Sequence, residues 1–325
     1  MASDTKDLPP EIRAIQGSVP QHMLGWLRET PADTPIAEVR HRLYEDEYVF
    51  VKGLIPRADV LKAREHYFSQ FESLGMLKPG TSPVDGIFDS DEDPALHNGI
   101  GGGEPIGKEE LQRLTDAHAQ QPYLDFVAHP RLRKMIRNIM QWEKEALVKR
   151  TMLRHNIPGG HSTGVHYDQL FLRGGDAFFL TAWVPIGDTR ATGGGLMYLE
   201  NSTGLGKAIE DDFFARAKDF TLEEKISAFN RNMSANGILS DNPLVFQQDN
   251  EHLSKKTQFR WLVADYEAGD VVFHLPHTIH SAVANDDPEG RIRLSTDLRF
   301  YNQKDVDAGT TDERWNKYWT PGDGL

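Results

Sequence analysis

The chain has 325 residues, no cysteine and a formal net charge of -13. An acidic surface repels phosphate backbones, so no nucleic-acid partner is expected. The absence of thiols excludes disulfides, thiolate zinc sites, Fe–S clusters and cysteine nucleophiles.

In chain order, residues 1–35 are polar and proline-containing and read as a loose arm with one short helix. The opening MASDTKDLPPEIRAIQG has no basic or apolar stretch of a secretory signal. Residues 36–43 read as a helix, 48–52 (YVFVK) as a short strand, and 60–71 as a second helix behind Pro56 and Asp59. Residues 79–107 are rich in Gly, Pro and Asp and read as a long loop. Loops of this length are commonly functional, so this one is a candidate lid. Within it, Asp89, Asp91 and Asp93 do not make a calcium loop, because Pro94 stands where Gly is required and Ile100 where a bidentate Glu is required. Helices follow over 108–117 and over roughly 123–141, the second broken at Pro130.

From residue 146 the texture changes to short strand-like runs bounded by Gly, Pro, Asn and Asp, through RIRLSTDLRFYN. Such spacing predicts an all-β barrel or double-sheet sandwich. A helical insertion over 207–236 interrupts it and is the second candidate lid. The expected organisation is one domain over 36–325, mainly β with flanking helices: a helical N-terminal layer, a β core over about 146–303 and the insertion. The longest near-apolar run, 178–186, contains Thr181 and Pro185 and is too short to span a bilayer. A soluble cytoplasmic chain is expected, with a homodimer left open.

The chemistry-bearing feature is His166-Tyr167-Asp168. In a strand, residues i and i+2 share a face, so an imidazole and a carboxylate converge. A buried carboxylate is costly without a partner or metal. Downstream, GDVVFHLPHTIHSAV offers His274, His277 and His280 as a third ligand. Two histidines and one carboxylate make a facial triad that leaves three positions open on iron(II). Arg291 and Arg293 follow in the last strand; a guanidinium suits a carboxylate in a two-pronged fork. Arg293 shares a strand face with Ser295.

These motifs, in order over about 37–303, resemble the phytanoyl-CoA dioxygenase family of iron(II)/2-oxoglutarate oxygenases: YEDEYVFVKGLIPRADV, the H-x-D, LTAWVPIGD, GGGLMYLENSTG, and GDVVFHLPHTIHSAVAN with the arginine strand. The resemblance implies a double-stranded β-helix, or jelly-roll, core of cupin type. It implies His166, Asp168 and His280 as metal ligands, Arg291 as the clamp on the far carboxylate of 2-oxoglutarate, and Trp183 along that co-substrate. Arg293 and Ser295 are the competing clamp. Ala282 departs from the family's small hydroxyl residue, and the insertion lengthens the gap between the two histidines. The resemblance also implies Fe(II), 2-oxoglutarate and O2 as the reacting set, and a small-molecule substrate of secondary metabolism. The reading left open is an acyl-CoA hydroxylase, a desaturase, epimerase or cyclase using the same iron, a zinc hydrolase, or a cupin-like binding protein.

Overall fold

A computed structural model describes residues 7–100, 107–225, 239–246 and 259–322. The strands are β1 (Glu11–Arg13), β2 (Ser18–Pro20), β3 (Leu24–Trp26), β4 (Glu29–Pro31), β5 (Tyr48–Lys52), β6 (Glu145–Leu147), β7 (Met152–Asn156), β8 (Phe179–Pro185), β9 (Leu196–Leu199), β10 (Trp261–Val263), β11 (Val271–His274), β12 (His280–Ala282) and β13 (Arg293–Asn302). The helices are α1 (Ile36–Glu45), α2 (Arg57–Ser69), α3 (Lys108–Ala117), α4 (Gln121–Val127), α5 (Pro130–Met140), α6 (Thr203–Arg216) and α7 (Gln303–Asp307).

The larger sheet runs β4-β5-β11-β8-β13-β6, with β7 also paired to β13; the smaller runs β12-β9-β10-β3. Side-chain alternation divides the apolar residues into three layers. Phe50, Trp183 and Val272 of the larger sheet meet Leu196, Tyr198, Leu262 and Ala282 of the smaller one in the interior. Val49, Val51, Ala182, Val184, Val271 and Phe273 point the other way, into a core shared with α1 to α5. The outer face of the smaller sheet, with Met197, Leu199, Trp261 and Val263, packs on Ile12, Val19 and Leu205. This is the mainly β jelly-roll with a helical layer. Strand β8 reads as a continuous apolar run because both of its faces are covered.

Three expectations change. The opening segment is not a loose arm: its described part supplies four strands, β3 pairing parallel with β10 and β4 parallel with β5. Edge strands of three residues carry too little periodicity to read from sequence. The H-x-D segment is not a strand. Val165 and His166 form isolated bridges to Ser240 and His280, and residues 168–171 turn at once into a 3-10 helix. Tyr167 is extended (φ -129°, ψ 150°), which keeps His166 and Asp168 on one side. The helix of the insertion starts at Thr203. Residues 226–238 of that insertion, 101–106 of the long loop and 1–6 of the arm lie outside the described residues. The described part of the loop is pinned by buried Arg64, which donates to the carbonyls of Val84, Asp85, Ile186 and Ile292 at 2.8–3.0 Å. Among the described residues no helix is long and apolar enough to cross a membrane.

Candidate metal centre

His166 and His280 face each other across a narrow backbone pair, each N–H donating to the other's carbonyl at 2.9 Å. Their rings lie 4.2 Å apart. His166 Nδ1 sits 2.8 Å from Gly164 O, and His280 Nδ1 sits 2.9 Å from Thr278 O. A carbonyl only accepts, so both Nδ1 atoms carry the hydrogen and both Nε2 atoms are left as lone-pair donors. Burial lowers both imidazole pKa values, which keeps the rings neutral and able to ligate. Ligand atoms of His166, Asp168 and His280 all lie within 4.8 Å of one another, and all three residues are buried.

Asp168 is held by one rung of the larger sheet. His274 on β11 and Arg299 on β13 both stand opposite Thr181 on β8. Thr181 Oγ1 donates to Asp168 Oδ2 at 2.6 Å, with His274 Nε2 at 3.2 Å from the same oxygen. Arg299 Nη2 donates to Oδ1 at 2.7 Å, the oxygen 4.0 Å from His280 Nε2. Burial pushes the Asp168 carboxyl up, but Arg299 and the nearby histidines outweigh it and hold it well below the usual carboxylate range. The carboxylate is thus ionised, oriented and one ion's width from two imidazole lone pairs. Two nitrogens and a carboxylate oxygen with no thiolate suit iron(II), with room for a chelating co-substrate. The same donors accept zinc, so the protein's own donor set fits a metal without choosing it.

The other sequence candidates divide. Arg293 is fully inside: Nε donates to Gly194 O at 2.7 Å and Nη1 to Ser295 Oγ at 2.8 Å. Burial lowers its pKa to about 10. No carboxylate contacts its guanidinium among the described residues. Asp297, four residues on along the same face, is taken by Arg154 at 2.9 Å. Arg291 lies elsewhere. It leaves the 287–290 turn with its guanidinium against Glu289 and 3.6 Å from Asp287, on an open cleft with Arg57 and Arg190. Asp287 Oδ1 accepts from the N–H groups of Glu289 and Arg291 and so fixes that turn outside the barrel. Trp183 is interior, 4.7 Å from Tyr266 and one rung from Thr181. His277 is turned to the outside of the centre, stacked 5.6 Å from Tyr167, whose hydroxyl donates to Glu210 at 2.6 Å.

Sequence reasoning missed Thr181 and Arg299. The signals were present: Thr181 is the lone hydroxyl in FFLTAWVPI, and Arg293, Ser295, Asp297 and Arg299 occupy every second position of a strand whose other face carries Leu294, Leu298 and Phe300.

A family model described as Phytanoyl-CoA dioxygenase matches residues 100–292, more than half of the chain. No curated protein matches at significant similarity. Solved structures with a similar course include the non-heme alpha ketoglutarate dependent epimerase SnoN from nogalamycin biosynthesis. It is 15% identical over 82% of this chain and 83% of that chain, with a TM-score of 0.48. The non-heme alpha ketoglutarate dependent carbocyclase SnoK of the same biosynthesis is 16% identical over 85% and 87%, with a TM-score of 0.47.

Proposed function

The chain belongs to the phytanoyl-CoA dioxygenase family, a family of iron(II)/2-oxoglutarate enzymes, and from that premise we propose that it is a dioxygenase oxidising a C–H bond of a small organic metabolite. His166, Asp168 and His280 hold the iron, and Arg293 with Ser295 grips the far carboxylate of 2-oxoglutarate. The observation that carries this reading is Arg293: a buried guanidinium, inside the barrel, that among the described residues meets only neutral oxygens. A buried cation is costly without an anion, and a dianionic co-substrate chelating the nearby metal supplies one. Arg291, partly exposed and with the carboxylates of Glu289 and Asp287 against it, has no such need.

Iron(II) with 2-oxoglutarate and O2 supplies the oxidising power, and succinate and CO2 are its by-products. The chain's residues do the rest. The two Nδ1 hydrogen bonds fix ring orientation. Thr181, His274 and Arg299 hold Asp168 in one pose. Trp183, Tyr198 and Val272 close the barrel interior with apolar surface and exclude water from the metal's inner side. The substrate is proposed to be a natural-product intermediate, because no basic cradle for the phosphates of a CoA thioester stands out in the sequence. Anaerobic dialysis against 2-oxoglutarate tests the assignment: binding should require added iron(II) and vanish in His166→Ala. Binding of equal strength without metal contradicts it.

A further inference from the structure

Beyond the candidate ligands, Arg299 and Trp315 carry buried N–H groups that have no acceptor among the described residues. Arg299 is 3% exposed and uses Nη2 on Asp168, while its Nε and Nη1 have no hydrogen-bond partner. Its Cζ lies 5.2 Å from the ring centroid of Trp315, and Trp315 Nε1, also buried, has no partner either. Buried N–H groups are nearly always paired in a folded chain. Converging N–H groups on a guanidinium and an indole match an anionic oxygen group: a carboxylate offers four lone-pair sites, a water two.

The placement of Trp315 is built. It lies in the segment after β13, beyond the residues matched by the family model. Asp312 caps that turn by accepting from Arg314 N and takes Gly174 N at 2.8 Å. A Cβ on Gly174 or Gly175 would meet Asp312 or its neighbours at 2.5 Å, so only glycines let the C-terminal segment close onto the loop that follows the metal-binding turn.

We propose that Arg299 and Trp315 form an oxyanion pocket beside the metal that takes one carboxylate. Its source is either the metal-chelating end of 2-oxoglutarate or an acidic group of the substrate. The inference rests on the iron(II)/2-oxoglutarate reading above. Both donors act as positioning groups, holding an oxygen at a fixed place relative to Asp168.

The test uses the anaerobic iron(II) protein and Trp315→Phe, which keeps the ring and removes the N–H without touching Asp168 or its partners. Three probes are titrated: 2-oxoglutarate; levulinate, which keeps the keto group and far carboxylate but lacks the chelating one; and acetate added to the iron(II)–2-oxoglutarate complex, read by its visible spectrum. If the co-substrate fills the pocket, 2-oxoglutarate binds about tenfold more weakly to Trp315→Phe while levulinate is unchanged, the loss of a charge-assisted hydrogen bond. If the substrate fills it, 2-oxoglutarate binding to Trp315→Phe is unchanged, and acetate perturbs the wild-type spectrum but needs about tenfold more in the variant. Unchanged responses to all three probes, with wild-type binding intact, overturn the pocket and leave the family reading standing. No iron-dependent binding in the wild type overturns both.

Discussion

Arg299 and Asp168 form a fully buried ion pair, Nη2 to Oδ1 at 2.7 Å, in which the carboxylate is also one of the three groups of the candidate metal site. The pair therefore couples folding to metal binding. Asp168→Ala strands the guanidinium in the interior, and removal of one partner of a buried pair costs about 3–5 kcal/mol. Denaturant unfolding of the metal-free protein should show a loss of that order, with Asp168→Asn losing less, and both should lose iron. Wild-type-like stability of Asp168→Ala would mean that the pair is not formed.

Thr181 tests orientation without touching charge. Its hydroxyl is 2.6 Å from the carboxylate oxygen that also faces His274. Thr181→Val keeps the shape and removes the donor. Iron(II) affinity should fall roughly tenfold or more, as groups behind metal ligands commonly do, and Thr181→Ser should restore most of it. Equal affinities in all three proteins would remove Thr181 from the centre.

The two candidate clamps are separable. Arg293→Gln should raise the KM for 2-oxoglutarate by a factor on the order of 10 to 100, the worth of a charge-assisted contact. Arg291→Gln should leave it within about twofold, since exposed ion pairs contribute little. A raised KM in Arg291→Gln alone would reverse the assignment.

Two buried histidines outside the candidate metal site, His118 and His155, contribute to the acid response. His118 gives its Nδ1 hydrogen to Leu114 O and receives Leu153 N–H at Nε2, and His155 accepts from Tyr67 while donating to His97 O. Both are locked neutral, and burial lowers both pKa values to about 4. The unfolded chain binds these protons near the ordinary value of about 6.5, so the unfolded state holds more protons between about pH 6.5 and 4. Stability is then full above that window and falls through it, by up to about 1.4 kcal/mol per pH unit per histidine. The buried carboxyls of Glu47 and Asp270 are raised and slope oppositely, so the reading is a difference. Urea midpoints from pH 4 to 7 should be flatter in His118→Gln and His155→Gln than in the wild type. Parallel profiles would contradict the neutral lock.

The convergence of His166, Asp168 and His280 was legible because i and i+2 spacing survives in one extended residue, Tyr167, although the expected strand became a bridge and a 3-10 turn. The helices of the outer layer were legible from periodicity and from Pro130, which separates α4 from α5. The clamp was not. Arg291 and Arg293 differ by two residues, and only the hydrogen-bonded turn at 287–290 decides which one enters the barrel. Strand β3 was hidden for another reason: its partner β10 lies more than two hundred residues away, and three residues of local sequence do not announce such a pairing.

The most direct measurement is succinate formed from 2-oxoglutarate and O2 by the iron(II)-loaded protein, beside His166→Ala, Arg291→Gln and Arg293→Gln. The account predicts slow substrate-free turnover in the wild type and in Arg291→Gln, none in His166→Ala, and recovery of Arg293→Gln only at high 2-oxoglutarate. Absence of succinate from the wild type, or its persistence in His166→Ala, would contradict an iron centre built from His166, Asp168 and His280.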